Sequence, residues 1–221
     1  VTPILKEGPI LSTRDDILPG IRKAGVGLVN LANNHILDHG EEGLYNTLRS
    51  CKEAGVQWIG AGSDLKSAWN VTVQRIRDSR IAFMGLAEHE FSIATNKTGG
   101  ACPLDLIDYV RKVQSEEFTW DYLVVLLHGG NEFYPYPSPR LQKVCRFLVE
   151  QGAHAVICQH SHVPGCYEKY RNSIIVYGQG NLLFNKTELP HPDWHKGFLV
   201  TLSPESSSSL KAEFVPYYQS N

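Results

Sequence analysis

Asn30-Leu-Ala-Asn-Asn-His35 and Gln159-His-Ser-His162 decide how this chain reads, with Leu126-Leu-His128-Gly-Gly130 between them. Each follows an apolar, strand-like run: residues 26–31, 153–158 and 122–127. Polar nitrogen and amide ligands therefore arrive at strand ends, where binding sites form in open α/β sheets. Three histidines and an Asn placed that way point to a metal site, and metal-assisted hydrolysis is its natural chemistry.

Working outward, residues 15–23 read as a short helix and residues 40–54 as a longer one, with Leu44, Leu48 and Cys51 at helical spacing and Gly55 as its stop. Residues 56–59 are a strand, Gly60-Ala-Gly62 a turn, and Asp64 caps a brief helix to Trp69. Residues 71–77 and 80–86 form a hairpin about Asp78-Ser79, and a polar loop with Gly99-Gly100 follows. Helices are expected over 104–115 and 139–151, with Pro139 tolerated in the first turn. From Gly165 the pattern turns to short strands at 166–170, 173–178, 197–202 and 210–216, a tail able to pair into a second sheet. Alternating strand and helix before such a tail predicts one α/β domain over residues 1–221.

Composition narrows the function classes. Hydrophobic residues make up 42% and charged residues 20%, as in ordinary globular proteins. A net charge of −2 with no basic stripe excludes a nucleic-acid partner. No apolar run is long enough to cross a bilayer. The five cysteines are dispersed without CxxC spacing, which argues against a disulfide framework or zinc ribbon and leans toward a reducing compartment. Asn-x-Thr sequons at Asn70, Asn96 and Asn185 are short enough to arise by chance. The start, Val1-Thr-Pro-Ile-Leu, reads as the middle of a loop, so the chain is expected to be a fragment.

Each cluster has a bland reading beside the chemical one. An Asn-Asn pair commonly makes a turn, yet here His35 and Asp38-His39-Gly40 follow it before a helix. His160 and His162, at i and i+2, face one side of an extended segment and so can reach the same ions. Asp38 either orients His35 or caps the following helix, and the cap is the preferred reading. Glu132 either acts on a metal-activated water or sits on a solvated loop. Tyr134-Pro-Tyr-Pro-Ser-Pro139 suits a pocket wall, and Gly178-Gln-Gly-Asn181 carries the chain past the same cleft. His89, His154, His191 and His195 read as structural or surface residues.

At this point the chain resembles the bacterial capsule-synthesis CapA family, also described as poly-γ-glutamate biosynthesis proteins of PgsA type. The stretches that carry the resemblance are residues 31–43, 56–62, 127–132, 152–162 and 175–181. The resemblance implies a metallophosphoesterase-type fold, a four-layer α/β/β/α sandwich whose first strand or strands lie outside this chain. It implies Asn34, His128, His160 and His162 as ligands of two divalent ions (Mn, Fe or Zn), with His35 near the leaving group. Glu132 joins His35 as a candidate catalytic residue, and Asp38, Asn181 and Tyr134 are candidates for orienting ligands or binding substrate. The family's opening segment, with its acidic metal ligands, has no counterpart in this chain. The expected function is metal-dependent phosphoester hydrolysis in capsule biosynthesis. The alternative is a non-hydrolytic component that binds or helps export an anionic polymer, and a third possibility is a bare scaffold. Partners would be a phosphoester or anionic polymer and other capsule-synthesis subunits, with membrane contact only through an anchor beyond this chain. The family implies the cell surface or a membrane-anchored extracellular location, while the chain itself reads as soluble.

Overall fold

The computed structural model describes residues 2–14, 16–88, 91–115, 119–184 and 190–219. His89 and the sequon at Asn185 lie outside the described residues. Two compact units make up the chain: Val1–Thr72 with Met84–Leu104, and Val73–Phe83 with Asp105–Asn221.

In the first unit, α1 (Ile17–Lys23) precedes β1 (Leu28–Asn30), and α2 (Gly40–Ala54) follows. Leu44 and Cys51 of α2 are buried, and Gly55 at φ +67° closes the helix in the left-handed conformation that glycine adopts without a Cβ penalty. β2 (Gln57–Ile59) lies parallel to β1, with Asn30 opposite Ile59. Residues 60–62 are not simply a turn, because Ala61–Gly62 forms β3. α3 (Leu65–Ala68) carries the expected Asp64 cap as a reciprocal capping box with Ser67. The hairpin of β4 (Thr72–Ile76) and β5 (Ser79–Ala87) carries the chain into the second unit and back. β6 (Gly100–Ala101) then pairs antiparallel with β3. Ala32, Ala87 and Ala101 form a small core here, with Ile36 and Ile93 packed on it.

The second unit is built on α4 (Leu106–Val113), β7 (Tyr122–His128), α5 (Pro139–Glu150), β8 (Ala155–Gln159), β9 (Tyr167–Tyr170), β10 (Ser173–Val176), β11 (Lys196–Ser206) and β12 (Ser209–Tyr218). The six-stranded sheet runs β4-β5-β7-β8-β10-β9, with β7, β8 and β10 parallel. Those three strands are almost continuously apolar because both faces are covered. On one face Val124, Ile157 and Val176 pack with Phe198, Val200 and Phe214 of the β11–β12 hairpin. On the other, Cys158 of β8 meets Cys145 of α5, sulfur to sulfur at 3.5 Å. Each fully buried Leu or Ile in such a layer contributes about 1.5–3 kcal/mol relative to exposure. α5 starts where Pro139 predicts, and the Ser138 hydroxyl accepts from the Leu141 N–H.

The tail departs from expectation. β9 and β10 pair with each other inside the central sheet, and β11 and β12 form a separate two-stranded sheet. Burial explains the split: Ile174, Ile175 and Val176 are all buried, whereas β11 and β12 alternate and keep one side exposed.

Candidate metal centre

β1 delivers the first polar cluster. The Asn30 Oδ1 turns back to accept from the Ala32 N–H at 3.0 Å. Gly85 makes room for it, since a Cβ there would stand 2.2 Å from that oxygen. Asn33 Oδ1 accepts from the His35 N–H at 2.9 Å, so the turn role belongs to Asn33. Asn34 is half-buried in the same loop.

His35 Nδ1 lies 2.8 Å from Asp38 Oδ2. The same carboxylate takes Lys6 Nζ on its other oxygen and the Leu11 N–H at 2.7 Å. The preferred cap reading of Asp38 is thereby corrected: α2 is entered through His39 with no side-chain cap, and Asp38 orients His35. The physical reason is burial. Asp38 is 1% exposed, so its charge needs close donors, and a helix start offers fewer than Lys6, Leu11 and His35 together. Burial alone would push this carboxyl up, but the Lys6 ammonium, the Leu11 N–H and His35 outweigh it and hold the pKa below the ordinary aspartate value. Lys6 Nζ also stands 3.2 Å from His35 Nδ1. Both groups therefore aim protons at Asp38, and His35 keeps Nε2 as its working nitrogen.

The second cluster belongs wholly to the second unit. His128 ends β7 beside Gln159, and the Gly129 N–H donates to the Gln159 carbonyl at 2.9 Å. β8 stops at Gln159, so His160 and His162 are not in an extended segment as expected. Their φ angles are +115° and +58°, which no strand provides. It is this turn, rather than strand alternation, that leaves the two rings 6.2 Å apart, with the His128 ring 4.7 Å from His160. Phe133 is also left-handed at φ +60°, and its N–H donates to the Ser161 carbonyl at 2.8 Å, tying the two loops together.

Glu132 Oε1 lies 3.9 Å from His160 Nε2. One donor atom each from Glu132, His160 and His162 falls within 4.8 Å of the others. Asn181 fixes the chemistry of His162. Its Nδ2 donates to the His162 and Trp194 carbonyls, both at 3.1 Å. Oδ1 must then be the atom 2.8 Å from His162 Nδ1, so Nδ1 carries the proton and Nε2 keeps a lone pair. That is how ligating histidines are held. Gly180 is bridged to Gly197 and sets Asn181 in place. Trp194 stacks on His162 at 4.9 Å and Phe184 meets it edge-on at 5.5 Å, drying one side of the ring.

His128, Glu132, His160, His162 and Asn181 are thus brought together, while Tyr134 stands exposed with its ring edge-on to Tyr136 at 5.9 Å. His154 is structural, accepting from the Leu123 N–H at 3.1 Å, and burial pushes its pKa down. His195 is buried beside Tyr218, and His191 accepts from the Asp193 N–H. Sequence reasoning missed Lys6 and Trp194. Neither carries a motif, and each meets its partner only through tertiary contact. The donor set, imidazole nitrogens with one carboxylate, fits a divalent metal ion.

The chain is 30% identical over 182 residues to "Capsule biosynthesis protein CapA" of Bacillus anthracis, covering 80% of this chain and 44% of that protein. A 26% match to "PGA biosynthesis protein CapA" of Bacillus subtilis covers 80% and 47%. A 28% match to a probable polyglutamine synthesis accessory protein of Mycobacterium tuberculosis covers 91% and 58%. The chain thus spans about half the length of these relatives. Among solved structures, a hypothetical protein from Thermus thermophilus superposes with a TM-score of 0.59 at 16% identity, covering 90% of this chain and 79% of that one. A putative 5′-nucleotidase from Staphylococcus aureus gives 0.59 at 15%, covering 93% and 41%. The fold is therefore mixed α/β, of the kind seen in that putative 5′-nucleotidase. Among the described residues no helix is long and apolar enough to cross a membrane. Residues 2–186 match the family model described as bacterial capsule synthesis protein PGA_cap, and the chain belongs to that family.

Proposed function

We propose that this chain carries the catalytic machinery of a metal-dependent hydrolase of phosphoesterase type that acts in capsule-polymer biosynthesis. The observation that carries the reading is His162, whose Nδ1–H is committed to Asn181 and whose Nε2 is left as a donor beside His160 and Glu132. His128, His160 and His162 would hold divalent ions, two in all on the family resemblance. When bound, such ions polarise a phosphoryl oxygen and lower the pKa of an attacking water. The chain's own groups do the rest. His35, steadied by Asp38 at Nδ1, gives the leaving oxygen a proton from Nε2. Trp194 and Phe184 keep bulk water from one face of His162, which strengthens its donor character. The substrate is a phosphoester or an anionic polymer, other capsule-synthesis subunits are the expected partners, and the site of action is the cell surface.

Hydrolysis of p-nitrophenyl phosphate by the chelator-treated chain, with Mn²⁺ or Zn²⁺ restored, tests the reading. Metal-dependent turnover abolished in His162→Ala supports it. Metal binding without turnover on phosphomonoesters or phosphodiesters sinks it. That result would favour the second reading, a component that binds an anionic polymer without cleaving it. The names of the relatives, which speak of biosynthesis rather than hydrolysis, favour that reading.

A further inference from the structure

We infer that Cys145 and Cys158 are a disulfide-forming pair that ties α5 to β8. The inference goes beyond the metal reading and stands without it. The two sulfurs are 3.5 Å apart, and both residues are 0% exposed. A disulfide bond is about 2.05 Å long, so each sulfur must move by about 0.7 Å, a small χ1 rotation.

The fold makes this pair, since the two residues are 13 apart in sequence. Cys145 lies with Leu141 and Leu148 on the buried face of α5. The link from α5 to β8 is short and bonded: the Gly152 N–H donates to the Val149 carbonyl and the Ala153 N–H to the Leu148 carbonyl, both at 3.0 Å. That turn lays the helix back on the strand and sets Cys145 over Cys158. Cys158 is fixed from the other side by the sheet, where it stands opposite Leu127 of β7. Buried cysteines often serve as small apolar residues, but that role does not need one sulfur to face another. Among the described residues no histidine or carboxylate joins the two thiols as a third metal ligand. Cys51 and Cys102 belong to the first unit, and Cys166 is half-buried. One such bond is not a disulfide framework, and dispersed cysteines without CxxC spacing give no sign of it.

The step needs an oxidant, a low-molecular-weight disulfide such as oxidised glutathione. The thiolate of one cysteine displaces a glutathione thiolate to give a mixed disulfide, and the second cysteine sulfur then displaces the other glutathione. Two protons and two electrons leave the pair, one S–S bond forms within the chain, and the oxidant departs as two thiols. Both sulfurs are covered in the finished fold, so the exchange belongs to folding, before α5 closes on β8.

The test is to refold the full chain with oxidised glutathione or with a reductant, alkylate it in denaturant, and map its disulfides by mass spectrometry. The glutathione sample is expected to give a peptide linked through Cys145 and Cys158. It is expected to melt about 5–10 °C above the reduced sample, because the bond narrows the unfolded ensemble. That difference should persist in Cys166→Ala and vanish in Cys145→Ala. Alkylation of both thiols in the glutathione sample would overturn the inference, as would linkage of either one to Cys166 instead. Equal melting of the oxidised and reduced wild type would overturn it too, since a bond that ties the helix to the strand must separate them.

Discussion

The loop after β1 and the loop after β8 both present histidines at a strand end, yet they are held by different forces. In the first, Asp38 gathers Lys6, Leu11 and His35, Asn33 makes its own turn, and no residue from Asn30 to Asp38 has a positive φ. In the second, His160 and His162 sit at φ +115° and +58°, and aromatic rings and Asn181 hold them there. Charge organises one loop and packing with backbone strain organises the other. Strain of this kind costs of order 1–3 kcal/mol per residue and persists only where the surroundings over-determine it. The comparison teaches that the second loop is shaped for a ligand set and the first for orienting one ring.

If so, the largest effect follows from His162→Ala. Metal affinity is expected to fall by about 100-fold, as removal of a ligand or its support commonly gives. His35→Ala should leave the first metal equivalent in place and cost turnover instead. Equal losses of metal in the two variants, measured by elemental analysis after dialysis, would erase the distinction between the loops.

Gly180→Ala asks whether the second loop depends on its backbone. Gly180 is at φ +78°, and a Cβ there would stand 2.2 Å from the Lys196 carbonyl oxygen. That oxygen is backbone, not the end of a flexible side chain, so the bridge to Gly197 must open and Asn181 must move. The expected cost is about 2–3 kcal/mol of stability, with roughly tenfold weaker metal binding as His162 loses its fixed tautomer. A variant that melts like the wild type would show that the loop does not rely on this bridge.

Much of this was legible beforehand, for reasons that also mark the limit. The spacing of Leu44, Leu48 and Cys51 with Gly55 gave α2 to the residue, because helix period and stop signal act locally. The apolar runs ending at His128 and Gln159 announced buried parallel strands. What stayed hidden depends on distant partners. Lys6 is 32 residues from Asp38, and no periodicity links an ammonium to a carboxylate across that distance. The β3–β6 ladder has two residues a side, too few to show alternation. The positive φ of His160 could not be read at all, since only Gly, and to a lesser degree Asn or Asp, signals that conformation.

For the first loop the matching test is charge. Asp38→Asn keeps the shape of the side chain but leaves Lys6, 11% exposed, without its counter-charge. Breaking a buried pair costs about 3–5 kcal/mol, and because Asp38 is covered but not deep, about 2 kcal/mol is expected. Chemical denaturation of the variant measures it. An unchanged midpoint would mean that the segment from Ile4 to Leu11, which also bonds the Asp38 carbonyl, is held by its backbone alone.

The smallest effect is the acid limb of stability, and its sign follows from Asp38. Its carboxyl titrates below the ordinary aspartate value in the folded chain, so the unfolded chain takes up the proton first. The contribution is therefore complete above the unfolded value of about 4 and is lost as pH falls through the lower folded value. Amide exchange localises it. The Leu11 N–H, bonded to Asp38 Oδ2, should lose protection below about pH 4, and in Asp38→Asn that pH dependence should vanish. The Phe133 N–H, bonded to the Ser161 carbonyl, has no carboxylate partner and should keep its protection over the same range. If Leu11 and Phe133 lost protection together, the chain would be opening as one body in acid, and the contrast between a charge-held and a packing-held loop would fail.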